Sequence, residues 1–205
     1  MLQFIRNNIQ FVIMCFTWVF CGIINQYLAV AVVTLSVILL KQKGMYKELI
    51  LGLIFLLVMS DSRQDGALYA ATAKNGYIVL LSLFYFFDRK QFTGANDYFK
   101  PFILFFVWSV AMLSQAPGVN FMNSAMKTLS YILLFTAVPA YFIKAFREQG
   151  PSFLKDVIML FACLLLAGII MIPVFPNVVF LVGRYCGVYG NPNGIGIACT
   201  LLFML

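Results

Sequence analysis

The chain has 205 residues, of which 63% are apolar or aromatic and only 10% are charged, with a mean hydropathy of +0.96. A soluble domain normally carries roughly 25% charged residues, so the charge present cannot cover a water-facing surface, and an ordinary soluble globule is excluded. Solid apolar runs such as "ILGLIFLLVM" exclude a transmembrane β-barrel, whose strands alternate in polarity over about 10 residues, and leave an all-α polytopic membrane protein.

The first apolar run covers 9–40 and is interrupted only at Asn25 and Gln26. At about 1.5 Å per residue it overshoots a hydrocarbon core of about 30 Å. It is therefore one tilted helix or a hairpin of two short ones folded at 22–26. The run carries no small-residue cleavage site and is followed by further spans, so a retained anchor is expected rather than a signal peptide. Further spans are predicted at 48–60, 67–87, 101–113, 126–143 and 156–172. A last one opens at Pro192 and is still running at Leu205, which gives about seven to eight spans with the last truncated. A helix entered at Pro192 rises only about 20 Å by Leu205. The expectation is a single transmembrane domain over 1–205 that forms the amino-terminal part of a longer protein.

The net charge of +7 comes from 14 Lys and Arg against 7 Asp and Glu. In a membrane chain such an excess marks cytoplasmic loops rather than nucleic acid. With a hairpin in the first run, one side holds Arg6, Lys41, Lys43, Lys47, Arg89, Lys90, Lys100, Lys144, Arg147 and Lys155. The other holds Arg63, Lys74, Lys127 and Arg184. The long-helix alternative moves Arg6 across and sharpens the asymmetry less. The hairpin, with a cytoplasmic amino terminus, is the preferred topology.

Several chemistries lack their residues. There is no histidine, which removes the commonest general base and metal ligand. The five cysteines have no metal spacing, and only Cys186 falls outside an apolar run, so neither a metal nor a structural disulfide is expected. No paired acids point into a span. No phosphate-binding G-x-x-x-x-G-K-S/T loop occurs.

The richest polar stretch is the outer loop 173–191 with the helix start that follows, "PVFPNVVFLVGRYCGVYGNPNGIG". Asn191 can cap a helix and Pro192 suits its first position. Gly190, Asn193 and Gly194 then leave backbone amides open at an electropositive helix start, and Arg184 lies close enough to share an anion there. The plainer alternative is a well-formed turn and cap with Arg184 at the headgroups. Gly183, Gly187, Gly190 and Gly194 could form a small-residue helix stripe, but Pro192 inside the series favours a loop followed by a helix start. Lys74, beside Asn75 and Gly76, is an ionisable residue within a span. Its bland alternative is an interfacial helix from which the side chain snorkels to water. Lys127 and Arg63 are weaker candidates of the same kind.

On Gly183, Arg184, Gly187, Asn191, Pro192 and Asn193, within "GRYCGVYGNPNGIGIACTLLF", the chain resembles the bacterial O-antigen ligase and O-antigen polymerase superfamily of membrane glycosyltransferases. A polar outer turn ahead of a basic residue, "APGVNFMNSAMKTLSYILLF", is similar too. The resemblance implies transfer of a glycan from a polyprenyl diphosphate carrier to a glycan or lipid acceptor outside the cytoplasmic membrane. It implies no metal and no cofactor, with Arg184, Asn191 and Asn193 as carrier contacts. The family's catalytic His lies in a large outer loop beyond the Asn-Pro-Asn helix, and this chain has no His. The expectation is thus a part with no catalytic residue of its own, inactive alone. A lipid or solute transporter, or a structural membrane subunit, is the alternative. A transporter should show internal repeats with paired broken helices, and a single Gly/Pro-broken segment is present.

Overall fold

Asn25 breaks the first apolar run. In a computed structural model, which describes residues 2–62, 64–92, 99–115 and 118–204, a short α1 (Leu2–Asn7) leads into α2 (Ile9–Ile24) and α3 (Gln26–Gln42). Between them Asn25 is extended, at φ −160° and ψ 127°. Its side-chain oxygen accepts the N–H groups of Tyr27 at 2.8 Å and Leu28 at 3.4 Å, which caps α3. The chain reverses here, and Trp18 Nε1 donates to Ser36 Oγ across the pair at 3.1 Å. The hairpin, not the single long helix, is the form adopted.

Gly44, at φ +67°, ends α3. Met45 N–H donates to Leu40 O and Gly44 N–H to Lys41 O, the paired bonds of a Schellman turn. Then comes α4 (Tyr46–Asp61), buried along nearly its whole circumference and therefore the centre of the bundle. A 3-10 turn (Asp65–Ala67) precedes α5 (Tyr69–Phe87), and another (Arg89–Phe92) follows it. After Lys100–Phe102, α6 (Ile103–Met112) continues into Leu113–Gln115. Two long helices, α7 (Gly118–Gln149) and α8 (Pro151–Met171), are joined through Gly150 at φ +60°. The stretch expected to be a loop contains a one-turn α9 (Pro176–Val179) and a two-stranded antiparallel hairpin, β1 (Phe180–Leu181) with β2 (Arg184–Tyr185). A 3-10 turn (Gly187–Tyr189) and α10 (Pro192–Met204) complete it. This hairpin is the one departure from all-α structure among the described residues.

The centre is built on large side chains with polar tips. Trp18, Tyr69, Tyr77, Tyr85 and Tyr141 are buried. Tyr77 Oη donates to Leu49 O at 2.8 Å, and Tyr141 Oη to Leu81 O at 3.1 Å. Glycines make room for them: a Cβ on Gly52 would meet Tyr77 Oη at 2.9 Å and the Trp18 ring at 3.1 Å. Such close approach at small residues is the usual way helices pack in lipid.

The periphery is as apolar as the centre. Phe87 and Leu104 are each 83% exposed, and α6 buries nothing. Among the described residues three helices are long and apolar enough to cross a membrane: Tyr69–Phe87, Ser124–Gln149 and Pro151–Met171. Ile9–Ile24, Gln26–Gln42 and Lys100–Gln115 are apolar but shorter. They fall below the roughly 20 residues that a full crossing takes. The chain is thus an all-α bundle with several long apolar helices, and its membrane character rests on them.

Candidate functional site at the Arg184 end of the bundle

The hairpin exists because two successive residues take left-handed backbone. Val182 (φ +50°) and Gly183 (φ +72°) form the two-residue connection, and positive φ at both positions suits the right-handed twist of β1 and β2. The turn puts Arg184 on β2, opposite Leu181. At the base of the hairpin Cys186 N–H donates to Val179 O at 2.8 Å, and the Cys186 side chain is buried. Ring contact between Phe180 and Tyr185, with centroids 5.8 Å apart, stiffens the strand pair. Burial pushes the phenols of Tyr185 and Tyr189 above the ordinary tyrosine range, so both stay neutral. Tyr189 Oη donates to Phe161 O at 3.3 Å, which ties the segment to α8.

The helix start forms as its residue types require. Asn191 Oδ1 accepts the Asn193 N–H at 2.8 Å, Pro192 occupies the first helical position, and Ile195 N–H donates to Asn191 O at 3.3 Å. One expectation is corrected here. The Asn193 amide is not open, because the Asn191 side chain occupies it; Gly194 carries the remaining first-turn N–H. Gly183, Gly187 and Gly190 all have positive φ, so the glycine series is a loop and not a helix stripe. At Gly190 a Cβ would overlap the Asp61 carbonyl at the end of α4. That contact fixes the helix start against the bundle.

Arg184, Asn191, Pro192 and Asn193, with Leu181 and Val182, line one cleft of about 400 Å³. The Arg184 side chain is exposed and has no ion-pair partner among the described residues. Its guanidinium and the electropositive start of α10 therefore address the same space. The chemistry on offer is the binding of an anion with several oxygens.

Lys74 and Lys127 come together as well. Both line a larger cavity of about 680 Å³ between α4, α5 and α7, with Ser60, Asp61, Asn75 and Ser130. Lys74 does not lie on a separate interfacial helix: it is in the second turn of an unbroken α5, and its Nζ donates to Ser60 Oγ at 3.0 Å. The polar partners Ser60, Asp61 and Ser130 were not singled out from the sequence. Helical spacing carries the signal: Leu57, Ser60 and Asp61 share one face of α4, and Lys127, Ser130, Tyr131 and Leu134 share one face of α7. Since Gly190 packs on Asp61, the 680 Å³ cavity and the Arg184 cleft open at one end of the molecule. Arg63 lies outside the described residues.

At the opposite end the structure joins residues that no motif links. Lys47 is buried, and its Nζ donates to Asn8 Oδ1 at 2.6 Å and to Asp156 Oδ2 at 3.1 Å. Asn8 Nδ2 returns a bond to Asp156 Oδ1 at 3.2 Å. Lys41 pairs with Asp88 at 2.8 Å, and Lys144 Nζ sits 3.9 Å from the centroid of the Tyr46 ring. Among the described residues no group of His, Cys, Asp or Glu could hold a metal ion, and all five cysteines are free.

No protein-family model matches this chain, and neither a curated protein nor a solved structure is significantly similar to it.

Proposed function

We propose that the chain is the carrier-binding transmembrane part of an O-antigen ligase/polymerase-like glycosyltransferase, which moves a glycan from a polyprenyl diphosphate to a cell-surface glycan or lipid acceptor. The observation that carries this reading is the cleft shared by Arg184 and Asn191–Pro192–Asn193. A diphosphate needs fixed positive charge and directed donors at the membrane face, and an exposed guanidinium beside a capped helix start supplies both. The 680 Å³ cavity, with its two ammonium groups, hydroxyls and amide, lies at the same end and has the polarity to receive sugar. With no His in the chain, the commonest general base near neutral pH is absent. In this reading the residues bind and orient the carrier, and the catalytic base comes from elsewhere. The chain is multi-pass in the inner membrane, with a cytoplasmic amino terminus and Arg184 outside.

Binding of a polyprenyl diphosphate analogue, measured beside glycan transfer in cells at matched membrane level, tests it. Arg184→Ala is expected to weaken binding by about 2–5 kcal/mol when the ion pair is desolvated. Arg184→Lys keeps the charge but loses the planar fork, so it should also impair binding, though less. Wild-type binding and transfer by Arg184→Ala would make Arg184 an ordinary interfacial charge and end this reading.

A further inference from the structure

The end of the bundle opposite Arg184 holds two adjoining clefts of different polarity that share one side chain, Lys43. One, about 520 Å³, is the more polar of the two, with Lys41, Gln42, Lys43, Asp88 and Gln91 beside Ile38, Tyr46 and Phe84. The other, about 290 Å³, is a mainly apolar groove lined by Phe11, Met14, Leu39, Leu40 and Met45, with Ser36 and Glu48 at its polar points. The Schellman turn at Gly44 holds Lys43 where the two meet. Lys41 is already matched by Asp88 at 2.8 Å. Lys43 is exposed and has no ion-pair partner among the described residues. More positive charge stands around the polar cleft. Arg89 and Lys90 share the short helix that carries Gln91, and Lys144 Nζ donates to Gln91 Oε1 at 3.4 Å. Cations thus outnumber Asp88 and Glu48 at this end.

We infer that these joined clefts form a binding site for an anionic phospholipid, with its phosphate at Lys43 beside Gln91 and one acyl chain along the groove between α2 and α3. Charge complementarity selects the headgroup, since basic pockets between membrane helices are suited to acidic lipids. The apolar groove selects an amphiphile over a free anion, because a small phosphate ester would leave that groove unfilled. The site rests on the membrane reading of the chain, not on glycan transfer, and it is remote from the Arg184 cleft.

Native mass spectrometry of the purified full chain tests it, with dioleoyl phosphatidylglycerol, dioleoyl phosphatidylcholine and free glycerol 3-phosphate as probes. Wild type should retain phosphatidylglycerol over phosphatidylcholine by about tenfold, as expected for one to two net surface cations. Lys43→Glu should bring that ratio near unity. Leu39→Trp, which fills the groove from a half-exposed position, should lower retention of both lipids. Lys155→Glu makes the same change in net charge at a residue lining neither cleft, and should keep the wild-type ratio. Equal retention of the two lipids by wild type would overturn the site. So would a ratio unmoved by Lys43→Glu, or displacement of the lipid by glycerol 3-phosphate at comparable concentration, which would reveal a site for the anion alone. None of these outcomes bears on diphosphate binding at Arg184, so the two readings fail separately.

Discussion

Two residues of the segment between α9 and α10 sit at opposite ends of one conformational rule. Gly190 has φ +62°, and a side chain there would also overlap the Asp61 carbonyl. Gly190→Ala should therefore lower stability by about 1–3 kcal/mol, from left-handed strain alone, before the overlap is counted. Val182 holds φ +50° although it is β-branched, and it is 93% exposed. Val182→Asn should raise stability by about 1 kcal/mol, because Asn-Gly is the preferred pair for such a connection. Thermal unfolding in detergent micelles, followed by circular dichroism, should show the two variants shifting in opposite directions. If Val182→Asn also gains stability but loses carrier binding, the strained valine is serving the cleft it lines.

At the scale of the element, caps decide where the apolar runs divide. Asn25 caps the division of a run of some 32 residues (9–40) into two helices: its side-chain oxygen accepts the Tyr27 and Leu28 N–H groups that a continuing helix would have donated to backbone carbonyls. Asn25→Ala should cost about 1 kcal/mol through the lost cap. The chain would still reverse, since Trp18 bonds to Ser36 across the pair. Melting temperature reads the cost, and cysteine cross-linking between the Met14 and Leu39 positions, which line one groove between α2 and α3, reads the reversal. The same chemistry at Asn191 was legible in the sequence, because Asn-Pro combines a cap with a residue that needs no N–H. The β hairpin was not legible. Its two strands are two residues long, too short for any alternation to register, and the valine at its turn is a residue that turns disfavour.

For the whole molecule, the ion pair at Lys47 joins α4 to α8 and, through Asn8, to the start of α2. Lys47→Met should destabilise by about 3 kcal/mol, because Asp156 then stays partly buried without its cation. Asp156→Leu should cost a similar amount, and the double variant should recover much of the loss. Chemical denaturation of the four proteins measures the coupling, and full additivity would show that the pair does not interact. Topology belongs to this scale too. In a chain stripped of its five native cysteines, a membrane-impermeant thiol reagent applied to spheroplasts should label Val178→Cys and not Glu148→Cys. The reverse pattern would invert the proposed orientation.

Composition and apolar run length are enough to determine that the chain is a helical bundle with apolar helices, because burial of backbone hydrogen bonds in hydrocarbon admits few other forms. The division of charge between loops and the cap at Asn191 are equally local facts. Which residues meet was decided only by tertiary packing. Lys74 and Lys127 lie in different helices and share a cavity only because α4, α5 and α7 pack against one another. Arg184 shares a cleft with Asn191 only because a reversal at Val182–Gly183 folds the intervening segment back and Gly190 seats it on Asp61. The Lys47–Asp156 pair spans more than a hundred residues of sequence. No local pattern encodes such a pairing, because its energy exists only once the intervening helices have packed.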